Sequence, residues 1–411
     1  MGQGYVATYR GNCQRTGEYE DAGVPDLHGI AWHFQTGGPI DLTPVVADGV
    51  VLFGSADGFF YALDGKTGER RWQYPTRGRV TTPADVAEGV VYVCDDAGTL
   101  YALDLQTGKA VWLWDNLSWP AYEDMLALAP VEDREWIAFD HVLDNWPPEE
   151  MGLNCPTIYG KKLFVMGGDL IIALSLVERT VVWWQASYAR TLLYPAVAND
   201  ILYASGLYDQ SDDMLYTLRT ETGAHFWSSG ASAGPGLVNY EERDWVLNPD
   251  SVAVRDNILY VVSYEGIIGV DLSTGEEIWR GERGWLSPNA YGRETALAIG
   301  PARVYETIAG LDKAAPMAVS AYGRQSGKVI WRRPSELDTR TLSHSPQLRQ
   351  PPILAANVLY VLQKGDTCCA LDAATGQERW HIHLEPGMLA PVCVADETIF
   401  VAAGSAMYAL R

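Results

Sequence analysis

Basic residues are scarce in this chain. Across 411 residues, 30 Lys and Arg stand against 52 Asp and Glu, giving a formal net charge of −22. Nucleic-acid phosphate is a poor partner for such a chain, because phosphate binding needs clustered Lys and Arg, and an anionic membrane surface is disfavoured for the same reason. Apolar runs of membrane-spanning length are missing. The first residues, Met1-Gly2-Gln3-Gly4-Tyr5-Val6, have neither the charged start nor the apolar stretch of a signal peptide, and Val6 stands where myristoylation needs Ser or Thr. The expectation is a cytoplasmic monomer with no nucleic-acid partner and no membrane insertion, or an exported one if a signal peptide has been removed. Cysteine is sparse too, six in all. Cys94, Cys368, Cys369 and Cys393 fall in or beside apolar strand-like segments, where a free thiol behaves as a small buried apolar group, and their scatter fits a reducing compartment. Also missing are a Gly-rich phosphate loop opening a helix, a Gly-x-Ser-x-Gly elbow and a His-Glu-x-x-His pair.

What the chain does have is a repeat. An eleven-residue module reads Ala62-Leu63-Asp64-Gly65-Lys66-Thr67-Gly68-Glu69-Arg70-Arg71-Trp72, then Ala102-Leu103-Asp104-Leu105-Gln106-Thr107-Gly108-Lys109-Ala110-Val111-Trp112, with further copies ending at Trp183, Trp227, Trp279, Trp331 and Trp380. An eighth begins at Tyr408-Ala409-Leu410, and its tryptophan is expected to be Trp32, 40 residues before Trp72 as Trp72 is 40 before Trp112. A period of this size means a propeller or solenoid, and a last repeat completed by an early strand means a closed ring. Within one repeat, Pro44–Ala47, Val50–Phe53, Phe59–Leu63 and Arg70–Tyr74 read as four short strands separated by Asp48-Gly49, Ala56-Asp57-Gly58 and Gly65-Lys66-Thr67-Gly68 turns. Four antiparallel strands of this kind make one propeller blade. The expected fold is therefore all-β: an eight-bladed propeller over residues 30–411, preceded by a lead-in at 1–29 and closed by Ile30–Phe34 as the outermost strand of the last blade. Trp32, Trp72, Trp112, Trp183, Trp227, Trp279, Trp331 and Trp380 are expected to fasten blade to blade, each indole bringing about 150–250 Å² of buried contact.

The module resembles the pyrroloquinoline-quinone-type repeat, with signature Ala-x-Asp-x-x-Thr-Gly-x-x-x-Trp. The third copy departs from it at Ser175 and Glu178-Arg179, and the sixth at Gly323 and Ser326. Arg10-Gly11-Asn12-Cys13-Gln14-Arg15-Thr16-Gly17 is similar to the lead-in that precedes such propellers. The family includes quinoprotein dehydrogenases and non-catalytic scaffolds such as the outer-membrane assembly lipoprotein BamB, so the resemblance leaves both classes open. Quinoprotein dehydrogenases set a disulfide between adjacent cysteines against the quinone. Here Cys368-Cys369 takes the place of Leu100-Tyr101 inside a regular third strand, whose side chains point to opposite faces. No calcium-ligand set of Glu, Asn and Asp is evident, so neither quinone nor Ca²⁺ is expected.

The repeat is interrupted on one side. Tryptophan spacings of 40, 40, 71, 44, 52, 52 and 49 residues place insertions at about 116–154, 228–247, 281–295 and 334–350, each between a fourth strand and the next first strand. Shorter ones near 208–214 and 306–316 join second to third strands. Strand parity sends both kinds to the same end of the blades, and long loops on a rigid scaffold are the usual carriers of function. The longest holds Trp119, Tyr122, Glu123, Asp124, Trp136, Asp140, His141 and Trp146; aromatic faces ringed by carboxylates suit a sugar, a cation or a basic peptide. Tyr291 and Arg293, with Asn289 and Glu294, could join the same face. His344 lies in a Ser-rich loop without an evident partner in sequence. His381 and His383 share one face of a fourth strand, but two histidines without a third ligand make a poor zinc site. The sequence thus points first to a non-enzymatic scaffold that binds a protein, peptide or glycan through its loop-bearing face. The alternative is an enzyme, either a quinone-dependent dehydrogenase or a carbohydrate-active enzyme using the acidic aromatic insertion, with Asp140/Asp144 as a weak candidate for general acid–base work.

Overall fold

The structure, a computed structural model, describes residues 6–80, 82–115, 128, 153–167, 170–186, 191–207, 213–226, 252–263, 266–281, 295–308, 318–334, 351–363, 366–385 and 389–411. They form eight antiparallel sheets in up-and-down order around a ring. The first blade shows why the sequence folds this way. Its strands are Val45–Ala47, Val50–Ser55, Phe59–Asp64 and Arg70–Pro75. Asp48 and Gly49 both sit at positive φ (47° and 71°), the backbone of the tight hairpin turns whose twist matches that of the strands they join. Val50–Ser55 is buried along its whole length, because neighbouring blades cover both faces. Arg70–Pro75 at the rim is mostly exposed and buries only its tryptophan.

The Asp-x-x-Thr-Gly turn is built by its own side chains. Asp64 Oδ1 accepts from the backbone N–H groups of Lys66 and Thr67, both at 3.0 Å, and Gly68 N–H donates to Asp64 O at 2.8 Å. Arg71 donates to Asp64 Oδ2 at 2.7 Å, and this bond, with those from the turn, holds the carboxyl down at about 2. Glycine is required at the end of the turn for two reasons. Its φ is +74° at Gly68 and +67° at Gly108, and a Cβ there would lie 2.6 Å from an indole carbon of Trp32 or Trp72 respectively. Four of the tryptophans lie against the turn of the following blade and donate from Nε1 to the carbonyl just after the turn's first residue: Trp32 to Gly65 at 3.1 Å, Trp72 to Leu105 at 2.9 Å, Trp183 to Thr220 at 2.9 Å and Trp331 to Ala373 at 3.2 Å. Trp279 lies against Gly327. Trp112, half-buried, faces the degenerate third module, where Arg179 takes the positive φ (61°) that glycine takes elsewhere. Trp227 lies outside the described residues, among which this sheet has three strands, with Phe226 N–H donating to Thr217 O at 2.8 Å beyond the third.

Closure follows the expected route. Ile30–Gln35 pairs antiparallel with Ala406–Leu410 as the outer strand of the eighth blade. Trp32 and Phe400 share a core with Val51, Phe53 and Leu63 of the first blade. Trp380 docks on the lead-in: its Nε1 donates to Val24 O at 2.9 Å.

The lead-in is woven into the ring. Val6–Ala7 adds antiparallel to Asp85–Ala87 of the second blade, and Glu18–Tyr19 pairs in parallel with Leu354–Ala355 of the seventh, so two sheets gain a fifth strand. Between these ends, the carbonyls of Cys13, Gln14, Thr16 and Gly17 accept in turn from Val197, Val254, Ile299 and Leu354 on the innermost strands of the fourth to seventh blades, at 2.7–2.9 Å. Val197, Val254 and Leu354 each lie two residues before a positive-φ turn residue, Asn199, Asp256 and Ala356. The lead-in therefore crosses the channel at the end that carries the short turns.

Candidate functional site

The ten residues put forward from sequence, Trp119, Tyr122, Glu123, Asp124, Trp136, Asp140, His141, Trp146, Tyr291 and Arg293, all lie outside the described residues, as do the centres of the four long insertions. The described residues define the platform that carries them. Outer strands end at Trp114, Arg280 and Pro334, and the next innermost strands begin at Leu153, Thr295 and Ile353. Up-and-down order puts all six positions at the same end of the ring. One residue of the longest insertion, Leu128, packs against the cluster containing Trp114 and Trp184 between the second and third blades.

Two aspartate staples stiffen this end, one half-buried at Asp57, which the sequence marks only as a turn residue, and one fully buried at Asp95. Asp57 accepts from Gly37 N–H at 2.9 Å, Phe59 N–H at 3.1 Å and the Tyr61 hydroxyl at 2.8 Å. Asp95, fully buried, accepts from Gly78 N–H at 2.9 Å, Thr99 N–H at 2.9 Å and the Tyr101 hydroxyl at 2.7 Å. Each carboxylate thus ties its own second-to-third turn to the loop arriving from the preceding blade. Burial, together with the carboxylate acceptor, pushes the Tyr61 hydroxyl up to about 12 and Tyr101 higher still. The signal was available: an Asp in the turn and a Tyr before the module's Ala recur in both blades. Beside Asp95, exposed Arg77 bonds Asp115 at 2.7 Å, directly before the longest insertion. In the sixth blade, Glu306 is fully buried and accepts from the Tyr322 hydroxyl at 2.8 Å.

At the opposite end the channel is occupied by the lead-in and pinned by Arg15, which is 1% exposed. Its guanidinium donates to Pro195 O at 3.1 Å, Tyr9 O at 2.8 Å, Thr157 Oγ1 at 2.7 Å and Thr8 Oγ1, and lies 4.0 Å from Asp85 Oδ1. Asp85 also accepts from Ile158 N–H at 2.9 Å and from Thr8. Its carboxyl is raised by burial, with Arg15 pulling the other way. One residue of the lead-in thus links the second, third and fourth blades.

A cleft of about 920 Å³ opens on this same turn side, at the seam of the first and eighth blades, lined by Asp26, His28, Asp48, Lys66, Asp396 and Arg411 among others. The pocket expected over the insertion-bearing mouth would involve residues outside those described.

The cysteine pair does not fit a quinone platform. Cys368 and Cys369 occupy the regular strand Thr367–Asp372 as free, buried thiols. Cys368 belongs to the core shared with the eighth blade and Cys369 to the one shared with the sixth. Burial lifts both thiols, Cys369 to about 12 and Cys368 further.

Comparisons with known proteins agree with this architecture. The family model described as outer membrane protein assembly factor BamB matches residues 27–128, 136–284 and 317–411. No curated protein matches the chain in sequence. Among solved structures, BamB from Moraxella catarrhalis superposes with a TM-score of 0.63 at 20% identity, covering 93% of this chain and 99% of that one. Quinohemoprotein alcohol dehydrogenase from Comamonas testosteroni gives 0.68 at 15% identity, covering 98% and 80%. The computationally designed Ika8 protein gives 0.63 at 13% identity, covering 95% and 99%. At these identities the structural likenesses speak for the fold alone. The family model spans most of the chain, and the chain belongs to the BamB family of propellers built from pyrroloquinoline-quinone-type repeats.

Proposed function

We propose that this protein is a non-enzymatic binding scaffold that engages a protein, peptide or glycan through its insertion-bearing face, as a monomer. The observation that carries this reading is the route of the lead-in across the turn end of the channel. With that end occupied, a ligand approaching the axis must come from the side of the insertions. Support comes also from the Asp57 and Asp95 staples, which present a stiff base to those loops. Family membership favours a protein partner, since the matching model is described as an assembly factor. The net charge of −22 and the carboxylates of the longest insertion favour a basic peptide surface over an acidic one, with binding that weakens in salt. A quinone-dependent dehydrogenase is the competing reading, and the divided cysteine pair argues against it. Arrays of Lys/Arg-rich peptides and neutral glycans test the scaffold, with saturable binding to one class expected. Incubation with pyrroloquinoline quinone and Ca²⁺ tests the rival. Saturable quinone uptake with dye-linked alcohol oxidation would overturn the scaffold reading.

A further inference from the structure

His381 and His383 are two residues apart on the outer strand Glu378–His383 of the seventh blade, so both side chains leave the same face. They pair across from Cys369 and Thr367. Both imidazoles are exposed, at 53% and 62%, and their ring centres lie 5.7 Å apart. Sequence alone could not say which nitrogen of either ring is available. The hydrogen bonds decide it. His381 Nδ1 lies 2.7 Å from Glu378 Oε1. The other oxygen of Glu378, Oε2, accepts from Arg333 at 2.8 Å. A carboxylate only accepts, so His381 Nδ1 carries the proton. His383 Nδ1 lies 2.7 Å from Thr367 Oγ1. That hydroxyl already donates its single hydrogen to Asp366 Oδ1 at 2.8 Å, so it accepts from His383 Nδ1–H. Both rings are thereby fixed in the tautomer that leaves the Nε2 lone pair free. Both also carry the partner that metal-ligating histidines usually have: a carboxylate bonded directly to Nδ1, or reached through one hydroxyl.

We propose that His381 and His383 form a bidentate imidazole site for a borderline divalent transition metal, Cu²⁺ ahead of Ni²⁺ and Zn²⁺, with water completing the coordination. The metal order follows general affinity trends for nitrogen ligands. Metal–nitrogen bonds of about 2.0–2.1 Å let two neighbouring imidazoles on one strand face reach a single ion, and the ring centres here lie 5.7 Å apart. The site is open, and no group of three or more His, Cys, Asp or Glu able to hold a metal occurs among the described residues. This is not the closed four-ligand arrangement of a structural zinc site. It is a surface chelate on a rigid strand, with Glu378, Thr367 and Asp366 as its orienting shell.

The test is calorimetric titration of the full chain with Cu²⁺ and Ni²⁺, alongside His381→Ala, His383→Ala, the double variant, Glu378→Gln, and His33→Ala as a control. His33 stacks on Tyr408 in another blade. Wild type should show a site that each single variant weakens by about tenfold or more and the double variant abolishes. Glu378→Gln should weaken it by about tenfold through loss of the orienting carboxylate, and His33→Ala should leave it unchanged. Electron paramagnetic resonance of the Cu²⁺ form should show hyperfine coupling to two imidazole nitrogens. The residues are exposed, so circular dichroism should match wild type in every variant. A double variant that binds Cu²⁺ with unchanged stoichiometry and affinity, or a wild type that shows no such site, would overturn the proposal.

Discussion

Replacing Arg15 should damage the whole ring, although the residue precedes the first blade. The side chain is 1% exposed and donates to groups on the lead-in and on the third and fourth blades. It is also the cation nearest to buried Asp85, on the second blade. Arg15→Ala removes those bonds together and leaves the Asp85 carboxylate in a low-dielectric site without compensating charge. Breaking a buried pair from one side costs about 3–5 kcal/mol. An unfolding entropy of about 2.1 cal/mol/K per residue gives roughly 0.9 kcal/mol/K for a chain of this length, so the melting temperature should fall by about 3–6 °C. Arg15→Lys should recover little, because an ammonium cannot reach carbonyls and hydroxyls on three sides as the planar fork does. Arg79→Ala, at an exposed position, serves as the control and should change stability by under about 0.5 kcal/mol. A ring of this size need not unfold in two states, so all variants are compared at one scan rate. If Arg15→Ala melts within a degree of wild type while Arg79→Ala does too, the lead-in is not the clasp described.

Three further outcomes follow. Gly108→Ala should cost about 2–5 kcal/mol, combining positive-φ strain with displacement of the Trp72 indole, whereas Gly49→Ala, equally strained but with open space around its Cβ, should cost only about 1–2 kcal/mol; equal losses in chemical denaturation would contradict the docking account. Burial holds His225 down at about 4, below its unfolded value of about 6.5. Its contribution is therefore complete above pH 6.5 and is lost as pH falls from there toward 4, by up to about 3 kcal/mol; His225→Gln should flatten that part of the pH–stability curve, and an unchanged slope would count against it. Finally, Cys368 and Cys369 should resist a disulfide reagent at pH 8 in the folded state and react at once in denaturant, since burial suppresses both thiolates; rapid native labelling at either position would show that this strand is open.

Much of the architecture was legible because each module states its own physics. Asp64 folds the turn, Gly68 leaves room above it, and Trp32 needs that room. The 40-residue offset of Trp32 likewise pointed to the strand that pairs with Ala406–Leu410. The path of residues 6–19 was not legible. The successive ties of residues 13–17 to the innermost strands are made by backbone carbonyls, which carry no side-chain signature, to strands up to about 340 residues away. The docking of Trp380 on Val24 was not legible for the same reason, since only the Val24 carbonyl is used. Asp57 was visible as a turn residue, but its tie to Gly37, like that of Asp95 to Gly78, depends on blade packing. The insertions follow no repeat, so periodicity locates their roots and says nothing of the surface they build.

The central claim, that the insertion-bearing face is the binding surface, is tested most directly by one comparison on a common array of Lys/Arg-rich peptides and neutral glycans. Wild type is measured beside Trp119→Ala, Trp136→Ala and Trp146→Ala, and beside Lys66→Ala and Thr107→Ala on the turn side. Loss of binding of about tenfold or more in at least one tryptophan variant, with both turn-side variants unchanged, is the expected result. Binding that survives all three tryptophan changes and falls with Lys66→Ala would move the working surface to the turn side and contradict the account.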